Sequence, residues 1–212
     1  MTRVLYLVLA LLTSTVTVAA GTEPPSLTDA EPIPGFEAYT VAGETTQVIA
    51  RINGAWFATT ENVGVYDSPT ILRAFDASLL ARRPAIALVV ESRDGGSEMG
   101  HAIDQLVILC AEIDVLRPCG RIDIGYLAWA LAAENRGAYA GGAYSLGKRP
   151  HVEVVLEPKL VAPNMLRLTL KRTSSLALPE GEWDRETLDE LQALRRSVGL
   201  YRMDGDQLVR VK

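Results

Sequence analysis

The feature that most constrains the fold is an uninterrupted apolar run from Ala85 to Val90, bounded by Pro84 and Glu91. A strand with one exposed face alternates apolar and polar residues, whereas a run without alternation is typical of a strand buried on both faces. Parallel sheets bury such strands because helices cover both of their faces. The run therefore predicts a central strand of a parallel sheet.

The segments around this run alternate between strand-like and helix-like patterns. A helix is predicted over 69–81, after an N-cap-like Ser68, and a second one after Gly95-Gly96, with its apolar face running from Met99 to Cys110. The other predicted elements are strands at 48–52, 113–116, 152–156 and 165–172, helices at 126–134 and 185–197 (the latter capped by Asp184), and a hairpin of 200–203 with 207–211 around Asp204-Gly205. This order predicts an α/β fold with a mainly parallel sheet flanked by helices, ending in a C-terminal helix plus β-hairpin.

Composition excludes several classes of protein. The chain has 212 residues, of which 48% are hydrophobic, so it is too apolar for a disordered protein. Its net charge of −5 argues against a nucleic-acid partner. The sequence contains neither zinc-ligand spacing nor a phosphate-binding loop, and we predict no metal and no cofactor.

The N-terminus has the pattern of a signal peptide. Arg3 precedes a short apolar run from Val4 to Leu12, and Val18-Ala19-Ala20 forms a small-residue cleavage site. An uncleaved membrane anchor is the competing interpretation, but a span needs about 20 mostly apolar residues. We therefore predict that residues 1–20 are removed, that no stable membrane insertion follows, and that the protein is exported to the periplasm or the extracellular space.

The mature chain is predicted to contain one domain. Residues 21–46 are rich in Pro and are interpreted as a linker or a loosely packed arm. The domain itself is assigned to 47–212, with a C-terminal extension from about 173 that could serve oligomer contacts. Cys110 and Cys119 would meet an oxidising compartment, and the residues leave open whether they form a disulfide or two buried thiols.

Three segments in sequence order resemble the ClpP/crotonase superfamily, and more closely its ClpP-like serine-peptidase branch. The run from Ala85 to Gly96 is similar to that family's central strand and its diglycine turn, and Met99 to Leu106 is similar to the helix after the turn. Cys119 to Ala133, followed by Gly137 to Gly147, is similar to the nucleophile turn, its helix and the strand beyond. The resemblance covers about half of the chain.

The resemblance implies a set of site residues. Gly95 and Gly96, together with the backbone N–H of Ile124, match the oxyanion and peptide-binding positions. A strand-to-helix turn that needs positive φ is the alternative reading of the two glycines. Asp123 stands at the position of the nucleophilic serine and Lys148 near that of the histidine base, so the implied peptidase site is degenerate.

Other side chains could still supply chemistry. Ser92, Ser97 and Ser145 lie in the matched region, and the sequence has two histidines, His101 and His151. His101 is expected to be solvated on the helix after the turn. The acidic residues Glu91, Asp94, Glu98 and Asp104 are interpreted as a solvated acidic turn rather than a cation site.

These observations predict an exported ClpP-like protein that acts as a non-catalytic pseudo-peptidase. It would bind a peptide or protein partner by strand addition at the sheet edge, or assemble into a homo-oligomer. The alternative is an active periplasmic serine-type peptidase or hydrolase that uses a non-standard nucleophile.

Overall fold

The computed structural model describes residues 30–41, 46–64, 69–95, 99–113, 115–130, 150–161, 164–176 and 183–211. These residues form twelve strands and two helices. In chain order they are β1 (Ala30–Pro32), β2 (Ala38–Val41), β3 (Gln47–Ile52), β4 (Ala55–Thr59), β5 (Thr70–Asp76), α1 (Ser78–Ala81), β6 (Ala85–Gly95), β7 (Met99–Glu112), β8 (Val115–Ala130), β9 (His151–Val161), β10 (Met165–Leu176), α2 (Arg185–Arg196), β11 (Gly199–Asp204) and β12 (Gln207–Val211).

All twelve strands belong to one branched sheet. Its main path runs β1-β2-β3-β4-β8-β9-β10-β11-β12, and β7, β6 and β5 branch from β8 in that order. The branch is possible because β8 is sixteen residues long and pairs with β7 over nearly all of its length. On its other side, β8 pairs with β4 at Val115–Leu116 and with β9 at Gly125–Trp129.

The apolar core lies on both faces of β6 and β7. Ala85, Ala87 and Val89 pack into one buried cluster, which α2 covers with Leu191 and Leu194. The alternate residues Ile86, Leu88 and Val90 pack into a second cluster on the opposite face, under β3 and β4. The apolar run is therefore a central strand buried on both faces, as its sequence pattern indicates.

The predicted α/β class is nevertheless wrong. Among the described strands, β4 and β8 form the single parallel pair, and every other pair is antiparallel. The structure is a mostly β protein with two helices, rather than a ClpP-like parallel sheet flanked by helices. A continuous apolar run reports burial on two faces and does not reveal the direction of the neighbouring strands, and here β5 and β7 both run antiparallel to β6.

Two predicted helices are strands in the structure. Most of 69–81 forms β5, followed by the four-residue helix α1, and 99–110 lies entirely within β7. The helix spacing from Met99 to Cys110 was misleading because residues 105–110 are all buried, so that both faces carry apolar side chains. The described part of the helix predicted at 126–134 belongs to β8.

The predicted C-terminal helix and β-hairpin are confirmed. Helix α2 begins after Asp184, whose Oδ1 accepts a hydrogen bond from the Thr187 amide at 2.7 Å. Strands β11 and β12 form the antiparallel hairpin around Asp204-Gly205, and Gly205 has the positive φ that such a turn requires. The Tyr201 hydroxyl donates to the Ser197 carbonyl at 2.7 Å and ties β11 to the end of α2.

Part of the segment predicted to be an arm is built into the sheet. Residues 30–32 and 38–41 form β1 and β2, and β2 pairs with β3. The predicted signal peptide, 1–20, lies outside the described residues. Within the described ranges, neither helix is long and apolar enough to cross a membrane.

Candidate functional site

The residues that the family resemblance assigned to catalysis lie far apart on the sheet. Gly95 ends β6 opposite Gly100, and Asp123 lies within β8 opposite Gln105. Gly100 and Gln105 are five residues apart on β7, which is roughly 16 Å along a strand. The expected oxyanion position and the expected nucleophile position therefore do not form one site.

The local conformations differ from the expected ones as well. Asp123 does not open a helix: its Oδ1 accepts a hydrogen bond from Gln105 Nε2 at 2.6 Å across two strands. Ile124 is the extra residue of a bulge in β8, and its side chain is buried in the core. Gly96 and Lys148 lie outside the described residues.

Gly95 does have the positive φ considered for the diglycine turn. Its φ is +100°, and a Cβ atom there would lie 2.4 Å from the Cα of Gly100. The glycine is thus required for the turn and the close approach between β6 and β7, rather than for a strand-to-helix connection.

Cys110 and Cys119 are joined by a disulfide, with their Cα atoms 5.8 Å apart. Both residues are buried in the core cluster that α2 covers. Cys119 is the unpaired residue of a second bulge in β8, between Pro118 and Gly120. The disulfide therefore joins β7 and β8 where their ladder is interrupted.

Two other polar residues that the sequence suggested, Ser92 and His101, lie within strands of the sheet. Ser92 is completely buried, and Ser97 and Ser145 lie outside the described residues. His101, expected to be solvated, is half-buried in β7 and stacks on Tyr126, with ring centroids 5.9 Å apart.

A different polar site extends across five neighbouring strands, from β6 to β10. Successive strand pairs place Glu91 opposite Asp104, Asp104 opposite Gly125, Gly125 opposite Val155, and Val155 opposite Arg172. This row connects β6 to β10. Together with neighbouring side chains it lines a cavity of about 220 Å³, which we call the charged pocket: Glu91, Arg93, Asp104, Glu153 and Arg172 are its charged members.

Two of the three carboxylates in the charged pocket have a cationic partner. Arg93 Nε lies 2.7 Å from Glu91 Oε1, and Arg172 forms an ion pair with Glu153. No ion pair within the described part of the chain includes Asp104. The pocket thus contains one carboxylate that is not matched by a neighbouring cation.

The environment of Asp104 disfavours its ionised form. Burial, together with the nearby carboxylates of Glu91 and Glu153, raises its pKa from 3.8 to about 6, although Arg93 and Arg172 oppose the change. Asp104 therefore titrates close to neutral pH.

Gly125 provides the space that the Asp104 side chain occupies. A Cβ atom on Gly125 would lie 2.6 Å from Asp104 Oδ2 and 2.8 Å from Asp104 Cβ. The glycine is directly opposite Asp104 in the ladder, so its missing side chain allows the carboxylate to lie over β8.

A serine and a histidine lie next to Glu153, which is one of the residues that line the charged pocket. Ser174 Oγ lies 3.1 Å from His151 Nε2 and donates a hydrogen bond to Glu153 Oε2 at 3.0 Å. Glu153 and Ser174 face each other in the β9–β10 ladder, and His151 precedes Glu153 by two residues on the same strand. All three side chains are half-buried.

The same serine also borders an open groove of about 470 Å³ between the ends of β9 and β10 and helix α2. We call it the helix groove. Val152, Trp183, Leu188 and Leu191 form its apolar walls, and its charged lining residues are Glu153, Asp189 and Arg195. Within the described ranges, no group of three or more His, Cys, Asp or Glu residues could hold a metal ion.

Sequence reasoning considered Asp104 and His151 but missed Glu153, Arg172 and Ser174. The available signal was an alternation of period two: His151 and Glu153 share one face of a strand, as do Arg172 and Ser174. Whether the pair on β9 lies beside the pair on β10 depends on the register of the two strands, and one sequence does not fix that register.

No family model, no curated protein and no solved structure matches this chain. The proposed function therefore rests on the fold and on the geometry of the site.

Proposed function

We propose that the protein is an exported binding protein that holds an extended acidic segment of a peptide or protein partner along the open edge of β10. The observation that carries this proposal is the length of that edge. β10 extends from Met165 to Leu176, but β11 pairs with it through Leu166–Leu168 alone. Among the described residues, no strand covers the stretch 169–175 on that side.

An uncovered strand edge presents backbone N–H and C=O groups that can pair with another chain. Such pairing supplies affinity, and the side chains along the edge select the partner. The stretch is long enough for a partner strand of ordinary length.

The charges on β10 favour an acidic partner. The strand contains Arg167, Lys171 and Arg172 and no acidic residue. Arg172 is paired with Glu153, whereas no ion pair within the described residues includes Arg167 or Lys171. Lys171 lies at the bulge between Leu170 and Arg172, and a basic edge residue disfavours pairing with a second copy of the same basic strand.

The disulfide supports export as part of the proposal. Disulfides persist in the periplasm and outside cells, and they are rare in a reducing cytosol. A signal peptide at 1–20 would deliver the chain to such a compartment.

Synthetic peptides test the proposal directly. Fluorescent peptides of about nine residues with alternating Glu and Val should bind the mature protein, and peptides with Lys in place of Glu should not. A third peptide with the same Glu content but with Pro at alternate positions cannot form a strand. Binding would be measured by fluorescence anisotropy, and hydrogen exchange should show slower exchange of amides in 169–175 only with the first peptide.

A matched pair of variants locates the binding surface. Lys171→Glu should weaken binding by about tenfold. Lys159→Glu, at an exposed position on the neighbouring strand β9, should change it little. Equal binding of the Pro-containing peptide, or protection of an edge other than β10, would contradict the proposal. A dimer in size-exclusion chromatography that protects 169–175 without peptide would instead show that a second copy occupies the edge.

A further inference from the structure

We infer that Ser174 is also a nucleophile, that His151 is its base, and that the protein hydrolyses carboxylic esters bound in the helix groove. This activity goes beyond partner binding and does not depend on it. It rests on the contact of 3.1 Å between Ser174 Oγ and His151 Nε2, within the range expected for a nucleophile and its base. It also rests on the position of Ser174 in the wall of the groove.

The Ser174 hydroxyl has one proton and two neighbouring acceptors. Glu153 is one of them, and it already forms an ion pair with Arg172. His151 is the other. With its own proton on Nδ1, the imidazole has a lone pair on Nε2 that can take up the Ser174 proton, and imidazole is the side chain most often used as a general base.

Glu153 has a positioning role in this arrangement. In the familiar triad the carboxylate orients the histidine, whereas here Glu153 holds the serine: the Ser174 hydroxyl donates to Glu153 Oε2 in the resting state and rotates toward His151 Nε2 when the ester is attacked. Because Glu153 and His151 contact the same oxygen atom, the carboxylate lies near the imidazolium that forms when the proton moves. A negative charge at this distance stabilises that imidazolium.

The helix groove defines the class of substrate. Trp183, Leu188 and Leu191 give it apolar walls suited to a short hydrocarbon acyl chain, and Arg195 provides a cation for the negative charge that develops on the carbonyl oxygen. We therefore assign an ester with a small apolar acyl group; the carboxylates of Glu153 and Asp189, which also line the groove, disfavour an anionic acyl chain.

The reaction proceeds in two steps, the acylation of Ser174 and the hydrolysis of the acyl-serine. Ser174 Oγ attacks the ester carbonyl carbon while its proton passes to His151 Nε2. The bond from the carbonyl carbon to the alkoxy oxygen then breaks, and the departing alcohol takes that proton. Water next attacks the acyl-serine, again giving a proton to His151, and the return of this proton to Ser174 releases the carboxylic acid.

A serine outside the groove provides a control. The mature protein would be treated with a fluorophosphonate probe and, separately, with p-nitrophenyl acetate. We expect covalent labelling and an acetyl group on the tryptic peptide that contains Ser174. Both should disappear in Ser174→Ala and persist in Ser197→Ala, because Ser197 lies outside the lining of the helix groove and its hydroxyl donates to the Ala193 carbonyl.

Two further variants test the roles of the neighbours. His151→Gln should lower the labelling rate at least about 100-fold. Glu153→Gln should lower kcat for p-nitrophenyl acetate by less than that and leave KM nearly unchanged, because the imidazolium loses a nearby negative charge but the base remains in place. Circular dichroism would verify that each variant is folded.

Failure of the wild-type protein to label, or labelling that survives in Ser174→Ala, would overturn the inference. Peptide binding at β10 is measured separately, on the wild-type protein and with peptides that contain no ester. The two proposals can therefore fail independently.

Discussion

Strands β6 and β7 each have a buried half and an open half, which differ in solvent exposure and in their content of charged residues. In the buried half, Ala85–Val90 pair with Gln105–Cys110, and all of these residues are buried. In the open half, Glu91–Gly95 pair with Gly100–Asp104, where charged residues are frequent and most side chains reach solvent. The bulge at Ile124 in the neighbouring strand β8 lies at the boundary between the two halves.

The difference shows how one pair of strands serves both folding and recognition. In the buried half both faces contact apolar clusters, so its residues stabilise the fold, and Gln105, which donates to Asp123, is its one polar residue. In the open half one face lines the charged pocket. The polar side chains on this face are positioned by the β6–β7 ladder, which continues without a break from the buried half. A bulge at the boundary fits this change because an extra residue redirects the side chains that follow it.

The largest expected effect comes from a cavity in the buried half. Leu106 is completely buried, so Leu106→Ala should lower the free energy of unfolding by about 2–5 kcal/mol. Met99 lies in the open half of the same strand and is 66% exposed, and Met99→Ala should cost less than about 0.5 kcal/mol. Urea denaturation of both variants measures the contrast, and similar losses would remove the distinction between the halves.

The disulfide should contribute next most. It closes a loop with a sequence separation of nine residues, for which chain entropy predicts a stabilisation of about 2–3 kcal/mol. The double variant Cys110→Ala/Cys119→Ala should therefore unfold at a lower urea concentration than the oxidised wild type. Adding a reductant should destabilise the wild type and leave the variant unchanged, whereas a wild type that does not respond would contain no such bond.

The sequence predicted correctly where the signal is local. Asp184 identified the start of α2, and Asp204-Gly205 identified the hairpin, because a cap and a tight turn depend on a few adjacent residues. The prediction for β7 failed for a physical reason. With both faces buried, apolar residues occur at helical and strand spacings alike, and the pairing with β6 and β8 decides the conformation.

The candidate site was less predictable than the fold. Its members come from strands β6, β7, β9 and β10, and their approach depends on ladder registers that include a bulge at Lys171. A shift of one residue between β9 and β10 would move Ser174 to the other face, away from His151 and Glu153. A single sequence contains the side chains but does not fix these registers.

A substitution at the boundary of the halves tests the packing of the charged pocket. Gly125→Ala would place a methyl group 2.6 Å from Asp104 Oδ2, and it should cost about 1–3 kcal/mol of stability. Gly120→Ala on the same strand should cost less, because its nearest contacts, at 3.3 Å, are the ends of side chains that can move. The penalty at Gly125 should shrink when Asp104 is replaced by Gly, and an unchanged penalty would show that Asp104 is not the obstacle.

The pH dependence that Asp104 gives to the open half is expected to be of the same size as the effect of Gly125→Ala. Its pKa is raised from 3.8 to about 6, so between these values the folded protein holds a proton that the unfolded chain has lost. The contribution of Asp104 to stability is therefore most favourable below about pH 4 and falls as the pH rises to about 6. The loss should amount to about 1–3 kcal/mol, since each pH unit of difference corresponds to about 1.4 kcal/mol.

Asp104→Asn removes this ionisation while keeping the shape of the side chain. The free energy of unfolding of the wild type relative to this variant should decline from pH 4 to pH 6 and then level off. Asp189→Asn is the control, because Asp189 is an exposed residue of α2 whose ion pair with Arg185 is solvated, so that its effect should be small throughout. If the free energy of unfolding of the wild type relative to Asp104→Asn rose with pH, the folded protein would stabilise Asp104 as a carboxylate. The charges of the open half would then stabilise the fold, as the apolar packing of the buried half does.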